Sequence, residues 1–199
     1  MNARELLLET GAFVCKDIVN KQVSNFITHA LLRKSQYDGK YDTQVPGALT
    51  ILDHELFLET LHEQIWPKLE VLIEEELLPT YTYSRLYTNG NILEKHKDRP
   101  ACEVSITVQL GRSHHYCWPI FAGTQRFDLA EGDGVVYRGC DVDHWRDVCE
   151  GPDNYYSGQA FFHFVRKNGP YANEANDSTN RTVPNNFYIR NRALAMNIK

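Results

Sequence analysis

A chain of 199 residues, 42% of them hydrophobic, can bury one sizeable core but is too short for two full domains. Its formal net charge of −5 excludes a general phosphate-backbone binder, which needs clustered Lys and Arg, so nucleic acid is an unexpected partner. Five cysteines, an odd set with no Cys-x-x-Cys pair, exclude a disulfide framework and a zinc ribbon and fit a reducing compartment.

The start Met-Asn-Ala-Arg-Glu-Leu has no signal-peptide pattern and no later run reaches the length of a membrane span, so a soluble, cytoplasmic protein is expected. Residues 11–19 predict a short strand, after which Asn20 caps a helix whose apolar face uses Val23, Phe26, Ile27 and Leu31. From Asp53 a second helical pattern sets Leu58, Leu61, Ile65, Leu69 and Leu72 on one stripe. Pro67 is expected to kink this helix or start another, because proline lacks the backbone donor and clashes with the preceding turn.

After Pro79 strands dominate. Residues 81–87 are β-branched and aromatic and stop at Asn89-Gly90, a turn pair. Residues 103–110 alternate strictly: Val104, Ile106, Val108 and Leu110 face one way, Glu103, Ser105, Thr107 and Gln109 the other. The first face suits a core and the second can line a site. Further short strands are expected at 118–121, 125–129, 134–137, 144–148 and 159–165, separated by Gly, Asp, Asn and Pro. Helices followed by such strands predict a mainly β, α+β domain over residues 1–172, an antiparallel sandwich or barrel buttressed on one face.

Residues 173–199 are expected to form a polar, basic extension, since 180–199 carry Arg181, Arg190, Arg192 and Lys199 and no acid. A solvated end or a strand laid on the core is the plain expectation and a binding arm the alternative. The Asn-x-Ser/Thr sites at Asn176 and Asn180 are read as coincidence.

His96-Lys97-Asp98 carries the chemistry. On extended backbone, residues two apart project to one side, so an imidazole and a carboxylate can meet one ion while Lys97 faces away. With 8 His and 26 acidic residues in 199, such a pair is expected by chance. Its context is stronger: a strand and tight turn precede it and a long alternating strand follows. A third ligand from a distant strand is available in His144, which follows the turn Glu131-Gly132-Asp133-Gly134 and the apolar strand Val135-Val136-Tyr137. Two imidazoles and one carboxylate leave three positions of an octahedral ion open, which suits Fe(II) that must bind a co-substrate and dioxygen. A structural zinc site would be closed and would use cysteine.

On these residues the chain resembles the 2-oxoglutarate and Fe(II)-dependent dioxygenases of the prolyl-4-hydroxylase-like superfamily, over residues 69–164. The matching features are a helix ending in Leu-Pro, the strand 83–87, the Asn-Gly turn, His96-x-Asp98, the strand ending Val108-Gln109-Leu110, the Gly-Asp-Gly turn and His144. The resemblance implies a double-stranded β-helix (jelly-roll, cupin-like) with N-terminal helices against the major sheet. It also implies iron held by His96, Asp98 and His144, 2-oxoglutarate and O2 as co-substrates, and ascorbate as an optional reductant. The implied reaction hydroxylates a C–H bond of a protein side chain, prolyl among the candidates, or of a small molecule, releasing succinate and CO2.

The family normally anchors the far carboxylate of 2-oxoglutarate with a basic residue where this chain places Gln159. A buried carboxylate needs a cationic partner. Arg146 is the expected substitute: it lies two residues beyond His144, on the same face, and a guanidinium grips a carboxylate through two hydrogen bonds. Arg85 and Arg166 are reserves, and Tyr87 matches a family position that lines the co-substrate pocket. The plainer reading of Arg146 is a surface ion pair with Asp147 or Glu150.

His29, His54 and His62 are expected on helix surfaces or in helix packing, His114-His115 in a turn, and His163 as a hydrogen-bonded core residue, although it shares a face with Gln159 and could reach the pocket. Trp118, Trp145 and residues 161–164 are expected in the core. Two other functions remain open: an oxidative demethylase of alkylated nucleic acid, for which the basic end speaks, and a non-enzymatic metal-binding β-sandwich in which Gln159 marks a lost co-substrate site.

Overall fold

The computed structural model describes residues 1–51 and 56–175. In chain order these form α1 (Ala3–Thr10), β1 (Ala12–Cys15), α2 (Lys21–Asp38), β2 (Lys40–Tyr41), β3 (Leu49–Ile51), α3 (Leu56–Ile73) and β4 (Leu77–Thr88). Then come β5 (Leu93–His96), β6 (Val104–Arg112), β7 (Ile120–Ala122), β8 (Gln125–Phe127), β9 (Gly134–Tyr137), β10 (His144–Arg146) and β11 (Tyr156–Arg166). The strands build a seven-stranded sheet, in the order β1-β9-β6-β11-β4-β3-β2, and a four-stranded sheet, β5-β10-β7-β8. Every pairing is antiparallel. No helix among the described residues is long and apolar enough to cross a membrane.

The strict alternation of β6 sets the layers. Val104, Ile106, Val108 and Leu110 join Ala160, Phe162 and Phe164 of β11 in a core against Ile27 and Leu31 of α2 and Leu58, Ile65 and Leu69 of α3. Ser105, Thr107 and Gln109 point the other way, toward the smaller sheet, where a second apolar cluster includes Tyr87, Trp118 and Phe161.

Several elements differ from the sequence expectation. Helix α1 was not foreseen, although Asn2 and Glu5 form a capping box at its start and Gly11 ends it in the left-handed region. On α2, Asn20 caps as expected, but Val23 and Phe26 are exposed and Ser24 and Thr28 are buried instead. Small side chains let the helix sit close on β6: Ser24 Oγ donates to the Leu110 carbonyl at 2.6 Å, and Gly111 has no Cβ to strike Thr28. Helix α3 runs unbroken through Pro67, which sits on a half-buried flank where solvent can take the carbonyl it frees.

That helix ends at Ile73 rather than at Leu78-Pro79, which belong to β4. Glu70 fastens the connection, accepting hydrogen bonds from the Trp66 indole and from the Leu77 backbone. Pro79 is tolerated beside a bulge between Phe162 and Phe164 of β11, where no ladder donor is needed. Strands β2, β3 and β5 have two to four residues each, too few to show a period. The expected helix start at Asp53, His54, and the extension from Asn176 onward with its basic residues and Asn-x-Ser/Thr sites lie outside the described residues.

Candidate metal centre

Register brings the candidate ligands together. In the small sheet β10 pairs with β5 so that His144 stands opposite His96, with ring centroids 4.2 Å apart. Asp98 follows two residues on, and its backbone N–H donates to the Gly139 carbonyl at 2.9 Å. A Cβ on Gly139 would lie 2.6 Å from Asp98 Oδ2 and 2.3 Å from the Cys102 carbonyl, so only glycine allows this approach.

The Nε2 atoms of His144 and His96 lie 3.4 and 3.7 Å from Asp98 Oδ1. Each Nδ1 faces a backbone carbonyl, Glu94 for His96 at 2.8 Å and Val142 for His144 at 3.2 Å. A carbonyl can only accept, so both rings carry the proton on Nδ1 and turn the Nε2 lone pair toward the carboxylate. Three electron-rich atoms thus converge on one point, and a cation there would turn their mutual repulsion into coordination. Burial holds the pKa of His96 below the ordinary imidazole value. The donor set fits Fe(II).

Arg146 is on the same face of β10 as His144, and it is buried rather than at the surface. Its guanidinium lies 4.9 Å from the Trp118 ring and donates to the Trp118 carbonyl at 2.6 Å. The other terminal nitrogen, Nη2, is buried without a partner. Neither Asp147 nor Glu150 pairs with it; both are exposed. Burial lowers its pKa from the ordinary value, as expected for a cation lacking a counter-ion.

The reserve arginines are committed elsewhere. Arg85 donates to Asp42 at 2.7 Å, to Tyr87 Oη at 2.9 Å and to Gln44 at 3.0 Å. Arg166 stands at the far end of β11, clamped to Glu103 at 2.7 Å. Gln159 is fully buried, bonded through its amide nitrogen to Gln109 and Ser157, with its Oε1 unpartnered. Tyr87 Oη accepts from Arg85, and its ring meets Trp118 edge-on at 4.9 Å.

A cavity of about 20 Å³ lies among His96, Asp98 and His144, bordered also by Arg85, Arg146, Thr107, Phe161 and His163. A far larger one, about 1070 Å³, lies between α1, β1 and α3 and touches none of the candidate ligands. The donor chemistry, not size, makes the small one the candidate site.

Four residues here were missed or only partly read in the sequence. Asp42 and Gln44, from the β2–β3 loop, tie down Arg85, and loop residues have no period to betray them. His163 does bond to Ser105, at 2.8 Å, but its ring also borders the cavity. Trp145 is only half-buried, stacked on Phe121 at 5.1 Å beneath Lys95, because β10 turns it to the outside of the small sheet.

The Asp42–Arg85 pair is buried on both sides, with side chains 5% and 4% exposed. Burial raises the Asp42 carboxyl, but hydrogen bonding from Thr50 and the charge of Arg85 prevail and hold its pKa below the ordinary value. A carboxyl depressed in the fold contributes stability that is complete above its unfolded pKa, about 4, and lost as pH falls through the folded value. Asp42→Asn strands Arg85 as an uncompensated buried charge and is expected to cost about 3–5 kcal/mol in urea unfolding at pH 7. The difference from wild type should shrink below pH 4; a constant difference would show that the ion pair is not its source.

No protein-family profile and no curated protein matches this chain by sequence. Solved structures do match. A Pseudomonas putida prolyl-4-hydroxylase superposes with a TM-score of 0.63 at 13% identity, over 84% of this chain and 98% of that one. HygX from Streptomyces hygroscopicus, with nickel and 2-oxoglutarate bound, gives 0.62 at 11% identity, over 79% and 84%. A Trichoplax adhaerens prolyl hydroxylase, in complex with a hypoxia inducible factor peptide fragment, gives 0.62 at 9% identity, over 81% and 87%. The shared architecture is the double-stranded β-helix, with the helices against its larger sheet, as the sequence resemblance implied.

Proposed function

We propose that this chain is an Fe(II) and 2-oxoglutarate-dependent dioxygenase that hydroxylates a C–H bond of a protein side chain or a small molecule. The observation that carries this reading is the convergence of His96 Nε2, His144 Nε2 and Asp98 Oδ1 beside a buried arginine with no counter-ion. Bound there, iron and the co-substrate would supply the oxidation: O2 is consumed, 2-oxoglutarate becomes succinate and CO2, and the substrate carbon gains a hydroxyl.

The chain's own residues bind and orient. His96, Asp98 and His144 would hold the ion from one side. Arg146 would take the far carboxylate of 2-oxoglutarate through Nη2, with the Tyr87 hydroxyl as a second donor. The cavity among these residues measures about 20 Å³, so its walls would have to yield for the co-substrate to fit. Both substrate classes have support in the neighbours, one solved with a peptide and another with hygromycin B. The five unpaired cysteines fit a reducing, cytoplasmic setting. Nothing observed favours nucleic-acid demethylation, and the unpaired Arg146 speaks against a lost co-substrate site.

Titration with Fe(II) and 2-oxoglutarate under nitrogen tests this. The charge-transfer band of the chelated co-substrate is expected at one equivalent of each, and its absence with the chain fully folded would refute the proposal.

A further inference from the structure

We propose that His163 is a ligand-recognising residue of this site, its Nε2 accepting a hydrogen bond from a water held between it and the three metal-binding residues. The inference rests on the metal reading above and adds a role for a histidine that reading does not use.

Hydrogen-bond bookkeeping around Ser105 decides the tautomer. Its Oγ has three neighbours: His163 Nδ1 at 2.8 Å, the Cys102 carbonyl at 3.1 Å and Asp98 Oδ2 at 3.4 Å. The last two can only accept, and the hydroxyl has one proton to give. The arrangement that satisfies the most contacts has Ser105 donate to one of them and accept from His163 Nδ1–H. That leaves Nε2 as a bare lone pair, buried and without a partner.

Among the described residues no neighbour fills the gap. The rings of Tyr81 and Tyr83 lie alongside the imidazole, at 4.5 and 5.8 Å between centroids, and offer π faces. The Tyr81 hydroxyl is engaged with Cys102 Sγ at 3.1 Å. A buried acceptor is nearly always satisfied, by protein or by ordered water. The cavity that His163 borders measures about 20 Å³, enough for one water, and Asp98 and Thr107 on its wall supply further polar partners. By holding that water against the metal ligands, His163 makes its displacement selective for molecules that offer a donor of their own.

The test uses the full chain labelled with 15N-histidine and Zn(II) alone as the probe, read by long-range proton–nitrogen NMR. In the metal-free chain His163 is expected to be protonated on Nδ1. One equivalent of Zn(II) should shift Nε2 of His96 and His144 strongly, as ligands, and move His163 Nε2 by the smaller amount of an acceptor whose bound water the ion polarises. Affinity for Zn(II) should fall about ten-fold in His163→Phe, which keeps the ring packing, and recover in His163→Gln, which keeps an acceptor. A proton on Nε2, or an unmoved Nε2 while His96 and His144 respond, overturns the proposal. So does a second equivalent of Zn(II) with a ligand-sized shift at His163, since Asp98, Cys102 and His163 also place donor atoms within 4.8 Å of one another. If His96 and His144 fail to respond, the metal reading itself falls and takes this inference with it, which tells the two failures apart.

Discussion

His144→Ala is expected to lose metal binding at micromolar Fe(II) and to release no measurable succinate from 2-oxoglutarate, while the chain stays folded. The imidazole supplies one of three ligand atoms and is fixed by its Nδ1 bond to the Val142 carbonyl. A site binding free energy on the order of 10 kcal/mol shared among three ligands makes each worth about 3 kcal/mol, or at least about a hundred-fold in affinity. The fold bears a smaller loss, about 1–3 kcal/mol, for removing a buried ring that packs 4.6 Å from Tyr137. Equilibrium dialysis with Fe(II), beside urea unfolding, separates the two. His29→Ala, on the exposed side of α2, serves as the unaffected control. Near-normal iron affinity in His144→Ala would remove the metal centre from this site.

Arg146→Met is expected to act in opposite directions on stability and on co-substrate binding. In the ligand-free chain the guanidinium is a desolvated charge with one nitrogen unpartnered, and an apolar side chain of similar length relieves that cost. The variant should therefore unfold about 1–4 kcal/mol harder than wild type. When 2-oxoglutarate is bound, the same charge would be paired in a buried site, where losing one partner costs about 2–5 kcal/mol. The dissociation constant for 2-oxoglutarate should rise on the order of a hundred-fold while that for iron stays within a few-fold. Equal losses of both, or an unchanged requirement for 2-oxoglutarate, would move the anchor to Arg85 or Gln159.

Local repetition made much of this fold legible. The alternation of residues 103–110 told which side chains would face a core and which could line a site, and the structure puts Val104 through Leu110 and Ser105 through Gln109 accordingly. Two-residue spacing put His96 beside Asp98 and His144 beside Arg146. What stayed hidden was non-local. Val23 and Phe26 form as good an apolar stripe as Ile27 and Leu31, and only the close seat of Ser24 and Thr28 on Leu110 and Gly111 shows which way α2 is turned.

The three arginines mark the boundary most clearly. By itself the sequence determined the ligand pair His96 and Asp98, the availability of His144, and the alternating strands that carry them, because side-chain direction along a strand follows from backbone geometry alone. Only the tertiary structure decided that Arg85 belongs to Asp42, that Arg166 belongs to Glu103, and that Arg146 is left with an open hand. Whether a charge is paired depends on which distant segments the fold brings within a few ångströms, and no periodicity in the chain encodes that distance.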